Sequence, residues 1–78
     1  MEKQTFLFAI CETKNQKLVE ETLAKNKVQI KSSRSLGDVN VFYVKGNENA
    51  ITSLGIQFIA LKNSLPMEIL LFDEGGVI

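Results

Sequence analysis

TFLFAIC, residues 5–11, is a short apolar run that holds two phenylalanines and is bounded on both sides by polar residues. Apolar residues occupy both alternating sets of positions, which is typical of a strand that is covered on both faces. The run therefore predicts a central strand. VNVFYV, residues 39–44, is rich in β-branched and aromatic residues and predicts a second central strand of the same sheet.

An amphipathic helix and an edge strand are predicted between these two segments. Thr13 and Gln16 form the Thr-x-x-Gln pattern of a capping box, which predicts a helix over about residues 14–25. Residues 28–30 alternate between apolar and polar, and the polar run that follows at 31–35 contains a lysine and an arginine. Charges of this kind protect the edge of a sheet, so the segment predicts an edge strand.

A second helix and a fourth strand are predicted after residue 46. Asn47 is suited to capping a short helix over residues 48–54, and Gly55 is suited to ending it. IQFIAL, residues 56–61, then predicts the fourth strand.

The order strand, helix, strand, strand, helix, strand is the ferredoxin-like βαββαβ arrangement. It predicts an α+β fold in which two helices cover one face of a four-stranded antiparallel sheet. The predicted core anchors are Leu18, Leu23, Val41 and Phe58. The domain is predicted to span residues 1–64, and residues 65–78 are predicted to be an extended C-terminal tail or an extra strand.

The strands are apolar on both faces, whereas two helices on one side cover a single face. An apolar face left over implies a partner, a dimer or a covering segment. The closing segment LPMEILLFDEGGVI, residues 65–78, is also strongly apolar, and Pro66 separates it from the preceding residues. We therefore expect residues 67–72 to bind outside their own fold, in a dimer or in the groove of a protein partner.

Composition excludes several classes of function. Nine basic and nine acidic residues give a formal net charge of zero, so no nucleic-acid partner is expected, and Tyr43 and the five phenylalanines are interpreted as core. With no histidine and one cysteine, Cys11, interpreted as a buried apolar residue, we predict no enzyme, no cofactor and no metal site. No apolar run reaches membrane-spanning length and no signal peptide is seen, so we expect no membrane partner and a cytoplasmic protein, or a secreted one if a leader was removed.

The chain resembles the propeptide-like inhibitors of subtilisin-type serine proteases, including the prodomains that act as intramolecular chaperones. The resemblance lies in the order of TFLFAI, NQKLVEETLAKNK, VNVFYV, NENAITSLG and IQFIALKN, and it covers about residues 5–68. It implies a protease inhibitor whose open sheet face packs on the protease. It also implies that the segment after the last strand lies in the protease cleft, with the partner-binding residues Leu65, Pro66, Met67 and Glu68.

Two alternatives remain from other classes of protein. One is a small interaction protein of a phage or mobile element that binds and blocks a host protein. The other is a small-molecule regulatory domain of the ACT type, which shares the element order, dimerises by sheet or helix edges and binds its ligand at the interface. The turn at Leu36, Gly37 and Asp38 lies on a different hairpin from the usual ligand loop of that class, so it ranks third.

Overall fold

The computed structural model describes residues 3–73 and 76–77, which form one sheet and two helices. The elements are β1 (Gln4–Glu12), α1 (Gln16–Lys25), β2 (Gln29–Leu36), β3 (Val39–Asn47), α2 (Glu48–Ser64), β4 (Ile69–Asp73) and β5 (Gly76–Val77). The strand order is β2-β3-β1-β4-β5, and every pair is antiparallel. The predicted ferredoxin-like βαββαβ fold is confirmed, and β1 and β3 are central as predicted.

The pair of central strands is the most extensive in the sheet. β1 and β3 are aligned over nine residue pairs without interruption, from Gln4 opposite Asn47 to Glu12 opposite Val39. Every second residue of both strands faces the helices, and there Leu7 and Phe42 have no solvent exposure. This face of the two strands forms one side of the core.

Both helices pack on this face of the sheet. α1 contributes Val19 and Leu23, and α2 contributes Leu54 and Phe58, all of them buried. Leu18 lies at the margin of this core, as a partly buried residue packed against it. Of the predicted anchors, Leu23 and Phe58 are buried in the core and Leu18 packs against it, which leaves one exception.

Val41 is the exception, and its prediction as a core anchor is wrong. It lies opposite Ile10 in the sheet, whereas the neighbouring pair of Phe42 and Ala9 is fully buried under the helices. Because successive side chains of a strand point to opposite faces, Val41 lies on the face away from the helices.

The predicted strand at residues 56–61 is wrong, because these residues belong to α2. Ile51, Leu54, Phe58 and Leu61 recur at intervals of three and four residues, and all four belong to or pack against the core. That spacing fits one face of a helix. Gly55 consequently lies inside the helix and does not end it. The predicted cap is confirmed, since Oδ1 of Asn47 accepts a hydrogen bond of 2.8 Å from the backbone N–H of Ala50.

The fourth strand comes from the apolar segment near the C-terminus. β4 pairs with β1 from Phe8 opposite Phe72 to Cys11 opposite Ile69. The side chain of Ile69 is buried in the core, 4% exposed. Our expectation that this stretch binds outside its own fold is wrong, because α2 absorbs residues 56–61 and leaves one edge of β1 for β4 to occupy.

The predicted capping box at Thr13 is also wrong. Thr13 begins a short 3-10 turn, Thr13–Asn15, and Gln16 hydrogen-bonds within the helix. The Thr13 hydroxyl lies 2.9 Å from the carbonyl oxygen of Gly37 and 2.9 Å from Oδ1 of the buried Asn40. The backbone N–H of Thr13 donates to the carbonyl of Asp38 at 2.7 Å. These bonds attach the β1–α1 connection to the β2–β3 turn, in which Gly37 has a φ of +67°.

Candidate functional site

A row of aromatic rings crosses three strands on the face of the sheet that the helices do not cover. The row consists of Phe6 and Phe8 of β1, Tyr43 of β3 and Phe72 of β4. Ring centroids are 5.7 Å apart for Phe6 and Tyr43, 4.9 Å for Phe8 and Tyr43, and 5.4 Å for Phe8 and Phe72. Contacts of this kind between neighbouring strands stabilise the sheet and give the row a fixed geometry.

Aliphatic side chains extend this row into a continuous surface. The strand pairing places Ile10 and Val41 side by side, and it places Leu70 next to Ile10 on the other side. We call the aromatic row together with these three residues the open face. Phe6, opposite Lys45, is 45% exposed, and Leu70, opposite Ile10, is 47% exposed. The expected leftover apolar face is therefore present among the described residues.

A depression of about 480 Å³ lies where the open face meets the edge strand β2. Its lining residues are Phe8, Ser32, Ser33, Arg34, Leu36, Val41 and Tyr43. A binding site for a small molecule typically combines an apolar wall with a few polar groups that fix its orientation. Here the rings supply the wall, and the guanidinium of Arg34 supplies a partner suited to a carboxylate.

The four residues predicted to bind a partner lie together in the connection between α2 and β4. Leu65, Pro66 and Glu68 are exposed, whereas Met67 is only 6% exposed and belongs to the core. The backbone N–H of Glu68 donates to Oε1 of Glu12 at 3.3 Å, which attaches the connection to the end of β1. None of these contacts tests the resemblance to protease propeptides, which stays a prediction.

Cys11 has the environment of a structural residue. It is buried in the core beneath the helices. Burial, followed by the negative charges of Glu12 and Glu20, raises the pKa of its thiol above the ordinary value of 9.0. The thiol is therefore neutral near pH 7 and is a poor nucleophile.

The described residues contain no group of three or more His, Cys, Asp or Glu side chains that could hold a metal ion. Within the same residues, no helix has both the length and the apolar character that crossing a membrane requires.

Sequence reasoning missed the aromatic row because it assigned these rings to the core. The signal was present in the alternation of β1 and β3, since Phe6, Phe8 and Tyr43 occupy one set of alternate positions and Leu7 and Phe42 the other. The sequence of the strands does not reveal which set the helices cover.

No protein-family model and no curated protein sequence matches this chain. The structure is similar to part of a crystal structure of formyltetrahydrofolate deformylase from Burkholderia mallei ATCC 23344, with a TM-score of 0.66 and 14% sequence identity. The match covers 91% of this chain and 28% of that chain, so the present chain spans less than a third of that protein. At this identity the similarity shows a common α+β fold.

Proposed function

We propose that this chain is a non-catalytic regulatory domain of the ACT type, which binds a small molecule and acts on another domain or protein. The observation that carries the proposal is the fold similarity, which extends over 91% of this chain but only 28% of a larger enzyme. A compact βαββαβ unit that forms a minor part of an enzyme chain is well suited to a regulatory role.

The residues that line the depression beside the open face indicate which class of ligand it could bind. Its apolar wall of Phe8, Val41 and Tyr43 suits an apolar or aromatic group, and Arg34 suits a carboxylate. We therefore propose a small carboxylate with an apolar body. Folates are included, because the similar protein is named for a folate substrate.

The test is a ligand screen by thermal shift, followed by isothermal titration calorimetry of any compound that binds. The panel contains amino acids, folates and other small carboxylates. A ligand at 100 times its Kd stabilises the folded state by about 2.7 kcal/mol, which raises Tm measurably. Binding is expected to weaken at least about tenfold in Arg34→Gln, since a charge-assisted hydrogen bond is lost.

Lys31→Gln is the matched control for this experiment. Lys31 is an exposed cation of the same strand and does not line the depression. The control variant is expected to bind as the wild type does. A panel in which nothing binds, or an affinity that Arg34→Gln leaves unchanged, would contradict the proposed ligand site.

A second candidate function is the protease inhibition implied by the propeptide resemblance. The observation in its favour is that Leu65, Pro66 and Glu68 are exposed in one connection. The assay measures the residual activity of several subtilisin-type proteases after incubation with the intact protein. If the candidate is correct, inhibition is expected to be lost in Leu65→Asp.

A further inference from the structure

The open face is an extended apolar surface for which the described part of the chain provides no cover. α1 and α2 both pack on the other face, and Met67 of the α2–β4 connection also belongs to the core on that side. Phe6 and Leu70 therefore keep nearly half of their surface exposed. Contiguous exposed apolar surface of this kind marks an interaction site.

We propose that the open face is the interface of a homodimer in which two sheets pack face to face, about 10 Å apart. A two-fold symmetric interface uses the same patch on both copies, so the patch must be complementary to itself. The open face meets this requirement because its centre consists of aromatic and aliphatic side chains. The cations Arg34 and Lys45 lie at its margin on β2 and near the end of β3, where interfaces are ordinarily polar.

The size of the face is sufficient for such a dimer. On this side of the sheet β1 and β3 have nine residues each, β2 has eight and β4 has five. At about 3.3 Å per residue and about 4.8 Å between strands, they present a face of roughly 490 Å² in projection. Two copies would then bury about 1,000 Å², the area that a specific interface is expected to reach.

Pairing through the β2 edge of the sheet is disfavoured by the structure of that strand. β2 has an irregularity between Ile30 and Ser32, and it carries Lys31 and Arg34. A bulge and charged side chains on an edge strand both hinder the addition of another strand.

Single-stranded nucleic acid is the other partner that aromatic rings on a sheet could recognise, by stacking on bases. Such binding also needs a positively charged path for the phosphate backbone. The chain has a formal net charge of zero, with nine basic and nine acidic residues. The zero net charge therefore disfavours nucleic acid, and the self-complementary apolar centre of the open face favours a second copy of this chain.

The proposed dimer would also enclose the proposed ligand site. The proposal of a dimer does not depend on the proposed regulatory function. Phe8, Val41 and Tyr43 belong both to the open face and to the wall of the depression. A second sheet over the open face would enclose the depression at the dimer interface. Sedimentation without ligand tests the dimer alone, whereas the Arg34→Gln titration tests the ligand site alone.

The experiment is sedimentation equilibrium of the intact protein between about 1 and 200 µM, which covers dissociation constants in the micromolar range. The wild type is expected to approach twice the monomer mass of 8.7 kDa at the highest concentration. Leu70→Glu is expected to raise the dimer Kd at least about 100-fold, because an unpaired charge would be buried. Phe6→Glu is expected to raise it at least about tenfold, since Lys45 lies opposite this position and partly compensates the new charge. Circular dichroism verifies that both variants remain folded.

Ile59→Glu is the matched control, since Ile59 is an apolar residue of α2 that is 63% exposed. This variant is expected to dimerise as the wild type does. A wild type that stays monomeric at 200 µM overturns the proposal without relying on any variant. A dimer that survives both Phe6→Glu and Leu70→Glu also overturns it, as does a monomer that binds a single-stranded oligouridine through Tyr43.

Discussion

Both faces of the central strands are apolar, but the helices bury only one of them. On the covered face, Leu7 and Phe42 are completely buried beneath the helices. On the open face, their neighbours Phe6 and Tyr43 stack on each other, and Phe6 remains 45% exposed. Because the strands are apolar on both sides, hydrophobicity alone does not determine which face becomes the core. The core forms on the face against which both helices pack their apolar residues.

The apolar residues of the two faces therefore have different roles. Those of the covered face stabilise the monomer, whereas those of the open face are available for association. Substitutions that compare the faces at matched positions test this division directly.

The largest effect is expected at two adjacent residues of β4. Ile69→Glu places a charge in the core, and the cost of an unpaired buried charge, about 3–5 kcal/mol or more, equals much of the stability of a small domain. We expect Ile69→Glu to be unfolded by circular dichroism. Leu70→Glu, one position along and 47% exposed, is expected to stay folded. Equal loss of structure in both variants would contradict the division between the faces.

A smaller effect is expected when a core leucine of α1 is shortened. Leu23 has no solvent exposure, so Leu23→Ala should lower the free energy of unfolding by about 2–5 kcal/mol. Ile56→Ala is the control on the outer side of α2, where Ile56 is 61% exposed, and it should change stability by no more than about 0.5 kcal/mol. Urea denaturation measures both values. A cost for Ile56→Ala as large as that for Leu23→Ala would show that the outer side of α2 is buried in solution.

Alkaline pH should lower the free energy of unfolding because Cys11 is buried on the covered face. The pKa of this thiol is raised in the folded state, so above about pH 9 the unfolded chain loses a proton that the folded chain retains. The stability that Cys11 contributes is complete below the unfolded pKa and decreases as the pH rises toward the folded pKa. Urea denaturation at pH 7.5 and pH 10 should show a smaller decrease for Cys11→Ala than for the wild type. An identical decrease would mean that the thiol is accessible to water.

The smallest effect is a gain in stability at Gly55. This residue lies within α2, and a Cβ added there would meet no atom within 4 Å. Gly55→Ala is therefore expected to raise the free energy of unfolding by about 0.5–1 kcal/mol, because alanine loses less backbone entropy in a helix. Gly46→Ala is the contrasting variant. A Cβ at that position would lie 3.4 Å from side-chain atoms of Val28, Ala50 and Ile51, so no comparable gain is expected.

The central strands and the first helix were predictable because their local signals agree with the fold. Residues 5–11 and 39–44 have the composition of central strands, and residues 16–25 carry one apolar stripe. IQFIAL misled the prediction because a short apolar run fits a strand or a helix equally well. The helical spacing becomes visible only when Ile51 and Leu54 are read together with Phe58 and Leu61.

The candidate site was predictable only in part. The apolar character of both faces indicated that one face would be left over, but the identity of its residues depends on where the helices pack. The depression depends on the register of β2 against β3, which places Arg34 opposite Val41 and Ser32 opposite Tyr43. The irregularity between Ile30 and Ser32 shifts that register, and the sequence does not signal it.

The position of β4 in the chain has a consequence for how the protein folds. Cys11 and Ile69 are opposite each other in the sheet but 58 positions apart in sequence (69 − 11). Contacts between distant segments slow folding, because a long loop must close before their interactions can form. During synthesis, the first strand of the sheet is made long before the strand that occupies one of its edges. Until that partner arrives, the edge at Phe8 and Ile10 is open to pairing with other chains, and the rate at which β4 docks sets the period during which the nascent protein is prone to aggregate.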